Sequence, residues 1–318
     1  MPYCAIRGVN HYYEWITAAG VTTGTPPDAA YRPQKPVMVF IHGWGGSSRY
    51  WRSTAQAQVA DYDCLLYDMR GFGRSTTPVL DPSDPNPSTA STSPPSPAAS
   101  AATPPDSAAA DRPHPYQLEA YVEDFRDLLD ILKLDRIHLN AHSLGASMAL
   151  LFLNCHADRV DRAILTCNGL LEYNALAFRL FHIFSRYVVL FRPRWFLQVP
   201  QLDRVFMSRF LSKPIAATER RAFLEDFLDA DFDAAYGTAV KTVSQEMAEA
   251  TPQEYARLTV PTLLVSGQYD QIITAPMGKA AADLNPQVTY RCVAGTGHFP
   301  MLEDTPTYLE YVRNFLGS

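Results

Sequence analysis

The feature that most constrains this chain is an alternation of short, continuously apolar runs with longer helical patterns. Runs without polar alternation are typical of strands buried on both faces, because water reaches neither side of such a strand. Strands that alternate with helices predict an α/β fold, a mostly parallel sheet covered by helices on both sides. The predicted buried strands are 37–41, 64–68, 136–140, 163–167, 261–266 and 288–293, and the helical patterns are 116–132, 144–155 and 307–315.

Three segments depart from this alternation. Residues 4–9 and 11–17 alternate in polarity and carry Tyr, Val, Ile and Trp, which predicts an antiparallel hairpin. Residues 78–115 are rich in Pro, Ser, Ala and Thr and contain no Phe, Trp or Tyr. We interpret them as a disordered surface insertion acting as a passive spacer, with a docking or regulatory role as the alternative. Residues 169–256 are helical in pattern and aromatic, which predicts a helical lid inserted into a core made of 1–168 and 257–318.

Composition narrows the class of protein. The chain has 318 residues, is 47% hydrophobic, and can therefore bury a large core. Its net charge of −6 argues against a nucleic-acid-binding protein, which would carry a basic stripe. The five scattered cysteines lack CxxC spacing, which favours a reduced, cytoplasmic setting over a disulfide framework or a zinc site. We find no signal-peptide pattern and no apolar run of the ~20 residues that span a bilayer, so we expect a soluble protein, at most peripheral on a membrane surface.

The motif AHSLG at residues 141–145 places Ser143 between a predicted strand and a predicted helix. A strand–turn–helix elbow of this kind exposes a serine nucleophile, and its sharp turn needs small neighbours. Gly145 and Ala146 provide them, and Ala141 stands where a first glycine is usual. The pentapeptide alone also fits an ordinary turn serine.

Two further loops lie at the carboxyl ends of predicted strands, where open α/β sheets place their sites. Asp270 follows strand 261–266, and His298 follows strand 288–293. The chain order Ser, Asp, His is the order expected for a serine elbow on this kind of sheet. The end of strand 163–167 is an alternative position for the acid, but it holds Asn168, which cannot stabilise an imidazolium as a carboxylate does.

The run HGWGG at residues 42–46 follows strand 37–41 and is suited to one half of an oxyanion hole. We expect the Trp44 amide to be the donor, with Gly43 making the turn. The Leu144 amide, directly after the serine and at the positive end of its helix, is expected to be the second donor.

Three other histidines are not needed for this chemistry. His42 and His142 flank the predicted site and are expected to support its loops through hydrogen bonds. His182 lies in the predicted lid, where packing or solvent exposure is the simpler role.

Together with the run YDMRGFGRS at residues 67–75, these motifs resemble the α/β-hydrolase family over nearly the whole chain outside 78–115. The resemblance implies a serine hydrolase that needs neither cofactor nor metal, and structural roles for the Asp and Arg of that run. A serine at the elbow argues against the haloalkane dehalogenase and epoxide hydrolase branches, which use aspartate. The site residues are Ser143 as nucleophile, His298 as general base, Asp270 as orienting acid, and Trp44, Leu144 and Gly43 for oxyanion and substrate binding.

The predicted lid bears on the substrate. Residues 170–214 carry seven basic against two acidic side chains, a local balance of +5 in a chain of net −6. Interleaved aromatics and arginines are typical of interfacial amphipathic helices, while an ordinary lid packed over the core is the alternative. Either way we expect a small hydrophobic ester as substrate. The basic residues are Arg179, Arg186, Arg192, Arg194, Arg204, Arg209 and Lys213.

Several functions remain open at this level. The same triad supports thioesterases, perhydrolases and carbon–carbon hydrolases, and a hydrolase-like binding protein with little turnover would keep the pocket and lid. The aromatic, basic lid is weakly similar to chlorophyll dephytylases. The motifs indicate carboxylic ester hydrolysis first, without specifying the ester.

Overall fold

The computed structural model of the protein describes residues 3–22, 31–75 and 116–317. The predicted insertion at 78–115 lies outside the described residues. Within the described ranges the chain forms nine strands in one sheet. They are β1 (Tyr3–Ile6), β2 (Val9–Thr17), β3 (Gly20–Thr22), β4 (Val37–Ile41), β5 (Asp63–Tyr67), β6 (Ile137–His142), β7 (Val160–Thr166), β8 (Thr262–Gly267) and β9 (Val288–Val293).

Eleven α-helices accompany these strands in the described part of the chain. None of them is long and apolar enough to cross a membrane. They are α1 (Arg52–Gln56), α2 (Leu118–Ile131), α3 (Leu144–Cys155), α4 (Ala175–Leu190), α5 (Leu202–Met207), α6 (Ala217–Asp229), α7 (Phe232–Thr242), α8 (Gln245–Ala256), α9 (Ala275–Ala282), α10 (Pro300–Glu303) and α11 (Thr305–Leu316).

The strand order β1-β2-β5-β4-β6-β7-β8-β9, with β3 beside β2, confirms the predicted α/β fold. From β5 to β9 all neighbouring strands are parallel, and the antiparallel pairs are confined to the β1–β3 end. The predicted opening hairpin is present, but β1 ends at Ile6 rather than at residue 9. Arg7 and Gly8 have φ of 48° and 80° and form the turn, because a left-handed backbone cannot continue a strand.

The sheet is buried on both faces, as unbroken apolar runs predict. In β4, Val39 and Ile41 pack into a cluster that includes α2 and α3. The alternate residues Met38 and Phe40 pack into a second cluster that includes α11. Burying each such side chain contributes about 1.5–3 kcal/mol, so the two clusters supply most of the stabilisation of the sheet.

The last helix illustrates why its predicted ends, 307 and 315, differ slightly from the observed ones. The Asp304 side chain accepts a hydrogen bond from the Thr307 amide at 3.3 Å, which moves the start of α11 to Thr305. At the other end Gly317 has φ of 78° and terminates the helix. Local capping therefore defines the boundaries that apolar spacing leaves approximate.

Residues 169–256, between β7 and β8, contain α4 to α8 and are called the helical insert below. Polar contacts join this insert to the sheet domain. The Trp44 indole donates to the Ala235 carbonyl at 2.8 Å, and the Ser47 hydroxyl donates to the Asp226 carboxylate at 2.6 Å. The insert therefore lies against the loop that follows β4, at the carboxyl ends of the parallel strands.

Candidate active site

Ser143 occupies a strained turn between β6 and α3. Its φ of 51° and ψ of −117° lie in a region that costs a non-glycine residue about 1–3 kcal/mol. The Ser143 amide donates to the Thr166 carbonyl at 2.9 Å, which ties the turn to β7. A Cβ on Gly145 would overlap with the His42 carbonyl, so α3 can begin this close to β4 only with glycine there. Such a turn projects the serine hydroxyl from the edge of the sheet.

Three predicted site residues form a chain of hydrogen bonds. His298 Nε2 lies 3.0 Å from Ser143 Oγ, and His298 Nδ1 lies 2.7 Å from Asp270 Oδ2. The other oxygen of Asp270 accepts hydrogen bonds from the amides of Ile272 at 2.7 Å and Ile273 at 3.2 Å. These contacts hold the carboxylate in one orientation. The structure thus brings together a hydroxyl, an imidazole and a carboxylate from three separate loops.

Close backbone contact positions the loops that carry Asp270 and His298. A Cβ on Gly267 would overlap with the Gly297 carbonyl oxygen, so the two loops touch only because β8 ends in glycine. The Tyr269 amide donates to the Thr296 carbonyl at 2.8 Å across the same contact. Gly267 could not be identified from the sequence, because the contact that it permits joins residues 30 positions apart.

The HGWGG loop turns at Gly43, as expected from the sequence. Its turn is closed by the Gly46 amide on the Gly43 carbonyl at 3.4 Å, with φ of 68° at Gly45. The Gly43 amide donates to the Tyr50 hydroxyl, so Gly43, although included among the oxyanion and substrate-binding residues, does not offer this amide to an oxyanion. A Cβ on Gly43 would lie 3.1 Å from Ser143 Cβ. Gly43 therefore serves by letting the loop approach the serine.

Two amides remain as candidates for binding an oxyanion. The Leu144 amide is the first of α3, where no carbonyl of the helix can accept its hydrogen bond. The helix dipole adds positive potential at this end. Trp44 follows Gly43 in the loop beside Ser143, and its indole is held by the insert. This arrangement leaves Trp44 and Leu144 as the donor pair proposed from sequence.

The histidines beside the site make the expected supporting hydrogen bonds. His42 Nε2 accepts from the Met69 amide at 2.9 Å, and His142 Nε2 donates to the His298 carbonyl at 2.7 Å. Burial lowers the pKa of both side chains, so they stay neutral. His182 lies 2.6 Å from the Val243 carbonyl and packs within the insert.

Asn168, the alternative position for the acid, is engaged elsewhere. Its amide group donates to Ser147 Oγ at 2.9 Å, and its carbonyl oxygen accepts from the Tyr255 hydroxyl at 2.5 Å. Asn168 is therefore part of the support of α3 and α8, and it does not bond to His298.

Glu303 is a site residue that sequence reasoning missed. Its carboxylate accepts hydrogen bonds from the amides of Gly297 at 2.9 Å and Phe299 at 3.1 Å, on either side of His298. It also accepts from the amides of Ser212 at 2.7 Å and Lys213 at 2.8 Å, in the insert. One carboxylate thereby clamps the histidine loop to the insert. No local pattern announces such a role, because the donors are backbone amides.

A pocket of about 380 Å³ opens onto Ser143 and His298. Sheet-domain residues form its floor, and the insert forms much of its wall. Three side chains of α4, Phe181, Phe184 and Val188, line one side. Most of the other wall residues are also apolar, so a bound molecule would replace water on aromatic and aliphatic surface. The insert therefore forms part of the surface that surrounds Ser143 and His298.

One group of side chains near the site has the composition of a metal site. The ligand atoms of His142, Cys167 and His298 lie within 4.8 Å of one another. Both ring nitrogens of His142 are already hydrogen-bonded, to Tyr50 and to the His298 carbonyl. Burial and the neighbouring Asp270 also raise the pKa of the Cys167 thiol well above its usual value, which disfavours a thiolate ligand. These residues do not fit a metal ion.

Solved structures share this architecture. A hydrolase from Pseudomonas aeruginosa superposes with a TM-score of 0.70 at 20% identity, covering 99% of this chain and 98% of that one. An enol-lactonase from Burkholderia xenovorans superposes with a TM-score of 0.69 at 17% identity and covers 100% of both chains. At identities this low, the superpositions show a common fold and nothing more.

Sequence comparison extends the likeness to most of the chain. The putative carbamate hydrolase RutD of Pseudomonas syringae is 22% identical over 292 residues, covering 91% of this chain and 97% of that protein. The model of the alpha/beta hydrolase fold family matches residues 36–305, which include the serine elbow and the loops of Asp270 and His298. This chain therefore belongs to the α/β-hydrolase fold family.

Proposed function

We propose that this protein is a serine hydrolase that cleaves a lipophilic carboxylic ester through an acyl-enzyme. The observation that carries the proposal is the chain of hydrogen bonds from Ser143 Oγ through His298 to Asp270, at 3.0 and 2.7 Å, on the floor of an apolar pocket. A strained elbow exposes the hydroxyl, and the neighbouring base activates it.

The roles follow from the geometry. His298 Nε2 takes the proton of the Ser143 hydroxyl as Oγ attacks the ester carbonyl. Asp270 keeps Nδ1 protonated and stabilises the imidazolium. The amides of Trp44 and Leu144 bind the developing oxyanion, and each such donor is worth about 3–4 kcal/mol in the transition state.

Collapse of the tetrahedral intermediate completes each half of the reaction. The imidazolium of His298 gives its proton to the leaving alkoxide, and the acyl group stays on Ser143. Water then attacks this ester, with His298 again accepting a proton, and the acid leaves with Ser143 regenerated. Every proton taken by the base is returned within the same half-reaction.

The substrate class is inferred from the pocket and the relatives. The aromatic wall of the pocket favours a substrate with a long hydrocarbon part in its acyl or alcohol group, since each buried CH₂ contributes about 0.8 kcal/mol to binding. The relatives are named a carbamate hydrolase and an enol-lactonase, and a further similar structure is a thermophilic esterase from Thermogutta terrifontis. We also propose a cytoplasmic location, supported by the five free cysteines.

A fluorophosphonate probe tests the nucleophile. We expect labelling of the wild type and of Ser147→Ala, whose hydroxyl lines the same pocket, but not of Ser143→Ala. The wild type should hydrolyse p-nitrophenyl esters with kcat/KM rising about fourfold per added CH₂ from acetyl to octanoyl, the rate equivalent of the CH₂ increment. A wild type that neither labels nor turns over any ester would instead indicate a binding protein of this fold.

A further inference from the structure

Helix α4 exposes a continuous apolar stripe. Leu176, Leu180, Ile183, Tyr187 and Leu190 recur at the spacing of one helix face and project within an arc of about 80°. Each of these side chains is between 47% and 67% exposed. The stripe runs almost the full length of a helix of 16 residues, about 24 Å. We call these five side chains the outer stripe.

The other apolar sides of α4 face the rest of the protein or the pocket. Phe178, Ser185 and Val189 are buried against the rest of the protein, and Phe181 and Phe184 line the pocket. A helix at a water interface normally has one apolar side, whereas α4 is apolar on its inner, pocket and outer sides and polar only on the side of Arg179, His182 and Arg186. Monomeric soluble proteins rarely expose apolar surface of this extent unless something binds it.

Exposed aromatics continue this surface beyond α4. Phe191 is 65% and Trp195 is 54% exposed, and both pack edge-on against Phe196, with ring centroids 5.5 and 4.8 Å apart. Tryptophan and phenylalanine at the end of an apolar stripe are typical of helices that lie in a membrane interface. The exposed surface therefore spans α4 and the turn after it.

Charge distinguishes the chemistry of what covers this surface. Arg179 and Arg186 flank the outer stripe, and both line an open groove of about 530 Å³ together with Tyr236 and Gln245. Neither guanidinium forms an ion pair with any residue of the described ranges. Helix α4 carries no Asp or Glu. A flank with basic and no acidic side chains can bind the phosphate headgroups of lipids, while the apolar stripe beside it contacts their hydrocarbon chains.

Two other arginines of the insert do not contribute to this flank. Arg192 donates to the Phe227 carbonyl at 2.7 Å and is turned inward, and Arg194 pairs with Asp229 at 3.0 Å. Of these four arginines, Arg179 and Arg186 are the two for which the described ranges hold neither an ion pair nor a hydrogen bond, so their guanidinium groups are free to bind an anion. Because the whole chain has a net charge of −6, an anionic surface would repel other faces and favour this one.

We propose that the outer stripe of α4 docks onto an anionic lipid surface, with the helix in the plane of the headgroups. Hydrocarbon covers the outer stripe, and lipid phosphates pair with Arg179 and Arg186. Phe184 is 67% exposed and also lines the pocket, so the pocket mouth adjoins the docked surface. The docking itself is independent of catalysis. Direct entry of an ester from the lipid layer rests on the function proposed above.

Vesicle co-sedimentation tests the docking, with phosphatidylcholine vesicles that contain or lack phosphatidylglycerol. We expect the full chain to bind the anionic vesicles, and Leu180→Asp with Tyr187→Asp to abolish binding. Arg179→Gln with Arg186→Gln should weaken it about 30-fold, since each basic residue near an anionic surface contributes about 1 kcal/mol. High salt should weaken wild-type binding in the same direction.

The matched control is Leu284→Asp, which places a charge at another exposed leucine, 42% exposed, outside the insert. It should bind vesicles as the wild type does. No binding of the wild type to anionic vesicles would overturn the proposal, as would equal binding by the outer-stripe variant. A dimer in sedimentation velocity that Leu180→Asp with Tyr187→Asp dissociates, without vesicle binding, would assign the stripe to a second copy instead.

Hydrolysis of soluble p-nitrophenyl butyrate by the same variants separates the two proposals. None of the five substituted residues lines the active-site pocket, so turnover of a soluble ester by these variants should match that of the wild type. Vesicle binding without any ester hydrolysis would refute the proposed function and leave the docking intact.

Discussion

The sheet and helix α4 treat their apolar side chains in opposite ways. All five residues of β4 are buried, whereas α4 exposes six large apolar side chains by about half or more. Burial of the apolar side chains fixes the strands, and the fixed strands position the loops that carry Ser143, Asp270 and His298. The helical insert keeps part of its apolar surface outside. From this difference we infer that the sheet positions the three site residues, while the exposed apolar surface of the insert is available to bind ligands or lipid.

Matched glycine substitutions in the two regions should have the largest effect. Gly267→Ala puts a methyl group into the Gly297 carbonyl, so we expect a loss of about 4 kcal/mol in the free energy of unfolding and no measurable esterase activity. In the insert, Gly237→Ala places its Cβ 3.2 Å from the Tyr116 Cβ, and the helix preference for Ala, about 1 kcal/mol, should offset that contact. Chemical denaturation measures both; equal losses would contradict the comparison.

The pH dependence of stability tests the attachment of insert to sheet at Asp226. Burial raises the pKa of this carboxyl from 3.8 to about 6, although Arg49 and Ser47 bond to it. Between these values the folded chain retains a proton that the unfolded chain has lost. The contribution therefore favours folding below pH 3.8 and is lost as pH rises through about 6.

The corresponding experiment compares the wild type with Asp226→Asn. The difference in unfolding free energy, wild type minus variant, should fall by at most about 3 kcal/mol across that window, since one pKa unit equals about 1.4 kcal/mol. Asp229→Asn on the same helix, where the side chain is 40% exposed, is the control for removing a carboxylate from α6. A difference for Asp226→Asn that stays constant across the window would show that burial between the insert and the sheet domain does not desolvate this carboxyl.

The smallest effect is expected where one side chain joins both regions. Glu303→Gln keeps the size of the side chain but removes the negative charge that accepts hydrogen bonds from four backbone amides. A hydrogen bond to a charged group contributes about 1.5–3 kcal/mol to stability. We expect kcat to fall about tenfold with KM nearly unchanged, because Glu303 positions His298 without touching substrate. Glu310→Gln, exposed on α11, should leave kcat unchanged.

Fluorophosphonate labelling rates across pH distinguish positioning from plain stabilisation in this variant. A positioning role slows labelling and shifts its pH profile while the folded fraction stays at the wild-type level. If Glu303→Gln lowers the melting temperature but labels at the wild-type rate, Glu303 is only a structural clamp.

Apolar periodicity determined the strands, the order of strand and helix, and hence the parallel sheet, because burial on two faces leaves a pattern in adjacent residues. It also placed Ser143, Asp270 and His298 at strand ends, since the carboxyl ends of parallel strands share one edge. Tertiary structure decided what distant residues do to one another. Three contacts involve backbone groups, whose hydrogen bonding is independent of side-chain type. They are the contact of Gly267 with Gly297, the hydrogen bond from the Gly43 amide to the Tyr50 hydroxyl, and the hydrogen bonds that Glu303 accepts. The outer stripe of α4 is visible in the sequence as an apolar helix, but only the fold determines which of its sides remains uncovered.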